Sequence, residues 1–201
     1  MQHIEFFHID HFKNDYHRVK PVKELEGFID FFWETKFDEL LQQYPDGFSD
    51  ALFPNIGYTY LINLGTPFIM QVAEKKFSMK TDGFLPRNKS IECYHCAGNK
   101  LFGIKFKISP IIFKTKVNFG EYREYIYPLS YLMEQTVIDR AKKATSFDER
   151  VQILNSYFQS IIENYTGSWE AIQIVSEILE HCNSKNDFTT SVEDFAKQYT
   201  I

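Results

Sequence analysis

Two short clusters of metal-binding residue types stand out in the sequence. Cys93-Tyr94-His95-Cys96 offers two thiols and an imidazole, and His8-Ile9-Asp10-His11 offers two imidazoles and a carboxylate. All of these groups can bind zinc. In an extended strand, however, Cys93 and His95 face one way and Cys96 faces the other, so the three side chains do not converge. The second cluster lies near a chain end, where rigid support for an ion is uncommon. The sequence therefore predicts no metal site and no cofactor, with the thiols serving as small buried hydrophobes.

Motifs for catalysis are not found in the sequence. It contains no Gly-x-Ser-x-Gly, no phosphate-binding glycine loop, and no Cys/His pair within a supporting motif. We therefore expect no enzymatic activity.

The composition favours a globular protein with a large aromatic core. The 201 residues are 44% hydrophobic and 17% aromatic, with 20 Phe and 12 Tyr, enough for one domain or one and a half. A net charge of -5 argues against a surface built mainly to hold nucleic acid. Three cysteines fit a reducing compartment. With neither a secretion signal nor an apolar run of about 20 residues, we expect a soluble cytoplasmic protein without membrane contact.

Residues 53–108 are predicted to form a compact antiparallel β unit. Alternating apolar positions and turn residues predict strands at about 58–64, 67–73, 77–80, 83–86, 90–97 and 101–108. Six short strands at this spacing favour a barrel or a sandwich. Upstream, the apolar spacing predicts a helix over about 21–33 and a second, shorter one over 37–44.

The pattern changes to helical after Pro110. Ser146 and Glu149 form a capping box before a helix at about 148–164, and serines also precede helices at 168–182 and 192–199. The order of strands first and helices second predicts an α+β protein. The first two of these helices carry apolar stripes, which cover the β unit or each other, or else pair with a second chain.

Several motifs, taken in order, resemble those of AraC-family transcription regulators. Those resembling the N-terminal regulatory domain are Phe32-Trp33-Glu34, Pro54-Asn55-x-Gly57, Tyr60-Leu61-Ile62-Asn63-Leu64-Gly65, Asp82-Gly83-Phe84-Leu85, and Leu101 to Phe106 before Pro110. Glu149-Arg150-Val151 and its helix are similar to the helical region before the family's DNA-binding part. Ser191 to Ile201 is similar to the first helix of the family's helix-turn-helix, with Ala196 at its alanine position.

The resemblance implies an antiparallel cupin-like β-barrel followed by a C-terminal helical region. It divides the chain into a cupin-like sensor or dimerisation domain with an N-terminal helix (1–126), a helical linker or dimerisation region (127–187) and the start of a truncated helix-turn-helix (188–201). We expect the recognition helix to be absent from this chain. The DNA-binding part is then represented only by a partial first helix carrying Val192, Phe195 and Ala196.

The implied function is that of an effector-sensing or dimerising regulatory domain. Its expected partners are an unidentified small-molecule effector, a second copy of the chain, and operator DNA only in the full-length regulator. The alternative is a free-standing small-molecule-binding β-barrel protein with no DNA-binding role. Catalytic cupins carry a His-x-His motif with a further Glu and His, whereas the β unit here contains His95 alone.

One alternating set of side chains is predicted to face the barrel interior and to form the effector pocket. The set is Tyr58, Tyr60, Ile62, His95, Ile104 and Phe106, with Trp33 closing one end. Polar tips in an apolar cavity are typical of small-ligand sites. The alternative is that these aromatic side chains simply fill the barrel.

Overall fold

The structure is a computed structural model of the chain, which describes residues 1–54, 57–85, 88–114, 125–185 and 189–199. The chain forms two compact units, Met1–Glu163 and Asn164–Ile201. Among the described residues, no helix has the length and apolar character that crossing a bilayer requires.

Within the described ranges, the first unit contains ten strands and four α-helices. The strands are β1 (Gln2–His3), β2 (Tyr16–Val19), β3 (Ile29–Lys36), β4 (Phe48–Leu52), β5 (Thr59–Asn63), β6 (Phe68–Val72), β7 (Lys75–Met79), β8 (Asp82–Leu85), β9 (Ile91–His95) and β10 (Lys100–Phe106). The helices are α1 (Ile9–Asn14), α2 (Asp38–Gln43), α3 (Gln135–Lys143) and α4 (Phe147–Glu163), with short 3₁₀ turns at Lys23–Leu25, Pro110–Phe113 and Leu129–Tyr131. The second unit contains α5 (Glu170–Lys185) and α6 (Val192–Tyr199).

The strands pair in two separate five-stranded sheets. Sheet A has the order β1-β4-β9-β6-β7 and sheet B the order β2-β3-β10-β5-β8. All the pairs are antiparallel except β1 with β4. From β4 onward the chain changes sheet at every connection except the β6–β7 hairpin. The class is therefore α+β as predicted, but the prediction of a closed barrel is corrected: among the described strands no ladder joins one sheet to the other.

The core of the first unit lies between the two sheets. Leu61 and Leu101 from sheet B belong to the same buried cluster as Phe48, Met70 and Ile91 from sheet A. Each of these side chains is at most 4% exposed. Burying one such side chain contributes about 1.5–3 kcal/mol, so this layer is a main source of stability.

The outer face of sheet B is buried as well, beneath helices. The Phe106 ring lies edge-on to Phe158 of α4 with centroids 5.4 Å apart, and Phe102 lies 6.0 Å from Phe147. Ile138 of α3 is fully buried. All five residues of β5 are buried. Sheet B is therefore the middle layer of the unit, between sheet A and the helices.

A buried ion pair joins α4 to sheet B. The Arg150 guanidinium donates to the Glu34 carboxylate at 2.9 Å and to the Ala144 carbonyl at 2.6 Å. Lys100 also contacts Glu34, with 2.8 Å between Nζ and Oε1. The predicted cap of α4 is confirmed, since the Glu149 amide donates to Ser146 Oγ at 3.2 Å. The apolar stripe of α4 is buried within the unit, as expected if it covers the β unit rather than a second chain.

The predicted helix over 21–33 is wrong. The region forms a 3₁₀ turn and then the eight-residue strand β3. Phe28, Ile29 and Phe32 share a helical spacing, but a strand buried on both faces also presents a nearly continuous apolar run. Strand β4 was not predicted at all. The short helix near 37–44 and the six strands between 58 and 108 are confirmed as elements.

The second unit confirms the two predicted serine caps. The Glu170 amide donates to Ser168 Oγ at 3.2 Å and the Asp194 amide to Ser191 Oγ at 3.1 Å. Two positions of the sequence motifs, Asn55 and Ile201, lie outside the described residues.

Replacing Glu34 by Gln should destabilise the first unit by about 3–5 kcal/mol, because the buried Arg150 charge loses its partner. The matched control is Lys100→Gln, which removes the half-exposed partner of the same carboxylate and should cost at most about 1 kcal/mol. Urea denaturation of both variants measures the difference. Equal losses of stability in the two variants would show that the burial of the Arg150–Glu34 pair does not determine its contribution to the free energy of unfolding.

Candidate functional site

A cavity of about 310 Å³ lies within the first unit, bounded by residues of both sheets. This volume is at the lower end of the range of about 300–1,000 Å³ for small-molecule sites. Much of the wall is aromatic, formed by Phe7, Phe12, Tyr16, Phe31, Trp33 and Phe37. Polar side chains reach the wall from α1 and both sheets: His11, Asp30, Thr35, Asp50, Thr59, His95 and Lys105. The site is therefore apolar with a few polar groups, as ligand pockets usually are.

Strand pairing places Trp33 on the cavity wall. Trp33 of β3 is directly opposite Gly103 of β10, and a β-carbon at position 103 would overlap the indole ring. The absence of a side chain therefore lets the indole lie against β10. Tyr16 stacks on the indole ring, with ring centroids 6.2 Å apart and an interplanar angle of 14°. Both rings are consequently held in fixed orientations.

A buried polar cluster on sheet A contributes to the same wall. His95 Nε2 lies 3.0 Å from Asp50 Oδ1, and His95 Nδ1 lies 2.5 Å from Asn99 Oδ1. Asp50 of β4 pairs directly with Cys93 of β9. His95 and Cys93 are each 2% exposed, and Asp50 is 9% exposed. An imidazole, a carboxylate and a thiol are therefore brought together.

His11 is a second buried imidazole on the wall. Its Nε2 shares a hydrogen bond with Thr35 Oγ1 at 3.0 Å, and its ring stacks on Phe37 with centroids 5.5 Å apart. Burial lowers the pKa of His11, while the nearby carboxylates of Asp15 and Asp50 act in the opposite direction. Within the part of the chain that the structure describes, its Nδ1 has no hydrogen-bond partner.

Of the residues predicted to form the pocket, Trp33 and His95 line the cavity. The facing assigned to the sheet B residues is corrected. Tyr60, Ile62, Ile104 and Phe106 lie on the opposite, helix-covered face, and Tyr58 packs on Phe84 with ring centroids 4.9 Å apart. Tyr60 instead shares a 2.7 Å hydrogen bond with Ser109, and burial raises its pKa. The reason is that sheet B is buried on both faces: the more apolar alternating set lies beneath the helices, and the mixed set that includes Thr59 and Lys105 faces the cavity.

The cavity residues that sequence reasoning missed have identifiable causes. Lys105 looks like part of a wet face because it alternates with Ile104 and Phe106, yet it is only 7% exposed. Asp50 lies on β4, which was not predicted as a strand. His11 belongs to a His-x-Asp-His cluster near the chain end, a pattern that does not predict a place on a cavity wall. The sequence pattern Phe-Ile-Asp-Phe-Phe-Trp at 28–33 could have been recognised as a strand from its aromatic content.

The three residues assigned to the partial DNA-binding helix all lie on α6. Val192 is 83% exposed, and Phe195 is 7% exposed, with its ring 6.0 Å from that of His181 on α5. Ala196 is half-buried. Phe195 therefore packs on α5, whereas Val192 is a surface residue.

The chain has a distant likeness to a solved structure. The crystal structure of the AraC-like transcriptional activator CuxR aligns with 96% of this chain and 78% of that chain, at 9% identity and a TM-score of 0.36. No family model matches the sequence. No curated protein matches it either. A likeness of this size does not identify a function, which is inferred below from the cavity and the sequence motifs.

Acidification from pH 7.5 to 5.5 should lower the melting temperature, in part through His11. Its folded-state pKa is below the ordinary 6.5, so the unfolded chain binds the proton more tightly. The stability it contributes is fully present above pH 6.5 and is lost as the pH falls below that value. His11→Gln should reduce the pH-dependent change in melting temperature, whereas His17→Gln, at an exposed position, should not. An unchanged pH dependence in His11→Gln would contradict this assignment.

Proposed function

We propose that the first unit binds a small, largely apolar effector between its two sheets, as the sensing domain of an AraC-like transcription regulator. The observation that carries the proposal is the aromatic cavity of about 310 Å³ with buried polar groups on its wall. The ordered motifs that resemble the family's regulatory domain support the second half of the proposal. On this proposal, the two facing sheets correspond to the cupin-like domain of such regulators.

The wall chemistry indicates the kind of effector. Trp33 and Tyr16 offer flat apolar surfaces on which a planar molecule can stack. Asp50 and His95 from one sheet and Lys105 from the other offer groups that can fix its orientation. The effector is therefore expected to combine a compact planar body with both hydrogen-bond donors and acceptors.

The proposed role is binding rather than catalysis, and contact with operator DNA is assigned to the full-length regulator. A free-standing small-molecule-binding protein remains the alternative, because the same cavity would serve it. The two differ in the parent reading frame, since only a regulator should encode a recognition helix and a second helix-turn-helix beyond Ile201. For the 201-residue chain alone, we expect no gel shift with operator DNA at physiological salt.

Effector binding should be detectable through Trp33. In a Trp169→Phe background Trp33 is the remaining tryptophan, so its fluorescence reports on the cavity wall. A screen of planar metabolites should find one that raises the melting temperature and changes this fluorescence. A free ligand concentration of about 100 times Kd corresponds to about 2.7 kcal/mol of stabilisation.

A cavity-blocking variant provides the control for that screen. Leu52→Trp adds bulk at a half-buried position on the cavity wall, and should abolish the stabilisation by the effector. Ile69→Trp places the same side chain on an exposed position of sheet A, where Ile69 is 42% exposed, and should leave binding unchanged. A screen in which no compound stabilises the protein, or in which both variants bind equally, would contradict the cavity as the sensing site.

The dimerising part of the proposed role is assigned to α5. Its apolar positions Ile172 and Leu179 are only half-buried, and Val175 is 46% exposed. We expect sedimentation to show a dimer that Val175→Glu weakens, because a buried carboxylate would be left without a partner. A wild-type chain that stays monomeric at high concentration would rule out dimerisation by this chain.

A further inference from the structure

We infer that Asp50, Cys93 and His95 form a binding site for a zinc-class divalent metal ion on the cavity wall. This goes beyond the proposed sensing role and does not require it. It also departs from the expectation drawn from sequence, which found no third ligand. That ligand comes from Asp50, on a neighbouring strand that the sequence pattern did not reveal.

Sheet geometry brings the three ligands together. Asp50 and Cys93 are direct partners in the β4–β9 ladder, and His95 is two residues after Cys93 and so faces the same way. One ligand atom from each residue lies within 4.8 Å of the other two. Zinc bonds of about 2.0–2.3 Å can span this spacing after small side-chain rotations. Cys96 takes no part, because its Sγ contacts the Pro67 carbonyl oxygen at 3.3 Å.

The hydrogen bonds of His95 point to a cation at this position. The Asn99 amide nitrogen donates to the Thr66 carbonyl at 3.5 Å, which leaves Asn99 Oδ1 to accept from His95 Nδ1–H at 2.5 Å. A neutral His95 then presents the lone pair of Nε2, only 3.0 Å from Asp50 Oδ1, which is also an acceptor. Two acceptors at this distance repel unless a positive charge lies with them. Either a metal ion shared with Cys93 or a proton held between Nε2 and the carboxylate removes this repulsion.

The set of ligands favours a metal ion over a proton alone, and zinc over harder cations. Cys93, two residues before His95, adds a third metal ligand, which an imidazolium–carboxylate pair does not use. Thiolate and imidazole ligands suit zinc and cobalt, whereas calcium and magnesium prefer oxygen ligands only. The Asn99 contact is the outer hydrogen bond that metal-bound histidines usually make. Three protein ligands also leave a fourth position for water.

Cobalt titration of the whole chain tests this site directly. The chelator-treated protein, kept reduced, is titrated with Co²⁺ and then with Zn²⁺. A cobalt–thiolate charge-transfer band should appear in the near ultraviolet, reach a stoichiometric plateau and disappear when zinc displaces cobalt. Zinc should also raise the melting temperature.

Variants separate this site from other metal-binding groups. Cys93→Ser should abolish the charge-transfer band, and Asp50→Asn, which keeps the side-chain shape, should weaken cobalt affinity at least about 10-fold. Asn99→Ala, acting through His95, should weaken affinity by about 10–100-fold. Cys96→Ser is the matched control and should keep the band. Near-ultraviolet circular dichroism establishes that each variant is folded.

Two results would overturn the inference. Folded wild-type protein without a cobalt–thiolate band would show that Cys93, His95 and Asp50 do not bind the metal ion together. A band that survives Cys93→Ser but is lost in Cys96→Ser would place the metal elsewhere. Neither result bears on the effector screen, which is run on chelator-treated protein, so the two proposals fail independently.

Discussion

Burial of both faces of sheet B is the constraint on which the rest of the first unit depends. A sheet that is covered on two sides needs a partner layer on each, and here sheet A supplies one and α3 with α4 supply the other. The two layers use different side chains of the same strands: Leu61 faces sheet A while its neighbour Tyr60 lies on the helical side. The helices are therefore as necessary to this fold as the second sheet, because without them a row of aromatic residues would be exposed.

The polar groups inside the unit occur where these layers meet. On the helical side, the nearly buried side chains of Arg150 and Glu34 pair, with the Ala144 carbonyl accepting a further guanidinium N–H. Between the sheets, Asp50, His95 and Asn99 form a chain of contacts beside the cavity. Buried charge is expensive unless it is matched. The first group fastens a helix to a sheet, whereas the second borders open space, which is why the second is the candidate for chemistry.

Sequence reasoning succeeded where a pattern had one interpretation. The caps at Ser146 and Ser191 were found because a serine followed three residues later by an acidic residue has a specific geometric meaning. In sheet A, one face is apolar and one is wet, so the facing of Cys93 and His95 could be predicted. In sheet B both alternating sets are buried, so the alternation does not tell which of Tyr60 and Leu61 faces the second sheet. The position of Asp50 beside Cys93 could not be predicted, because it depends on the pairing of two strands that are distant in the sequence.

Two-sided burial also has a consequence for how the chain can change over time. Along β6 and β9, alternate positions are open to water and can accept many residue types, whereas β5 and β10 offer few such positions. A saturation library should therefore show tolerance with a period of two in the strands of sheet A and nearly unbroken intolerance through β5 and β10. Substitutions accepted in those two strands should mostly exchange side chains of similar volume. The sequences of β5 and β10 should therefore diverge most slowly.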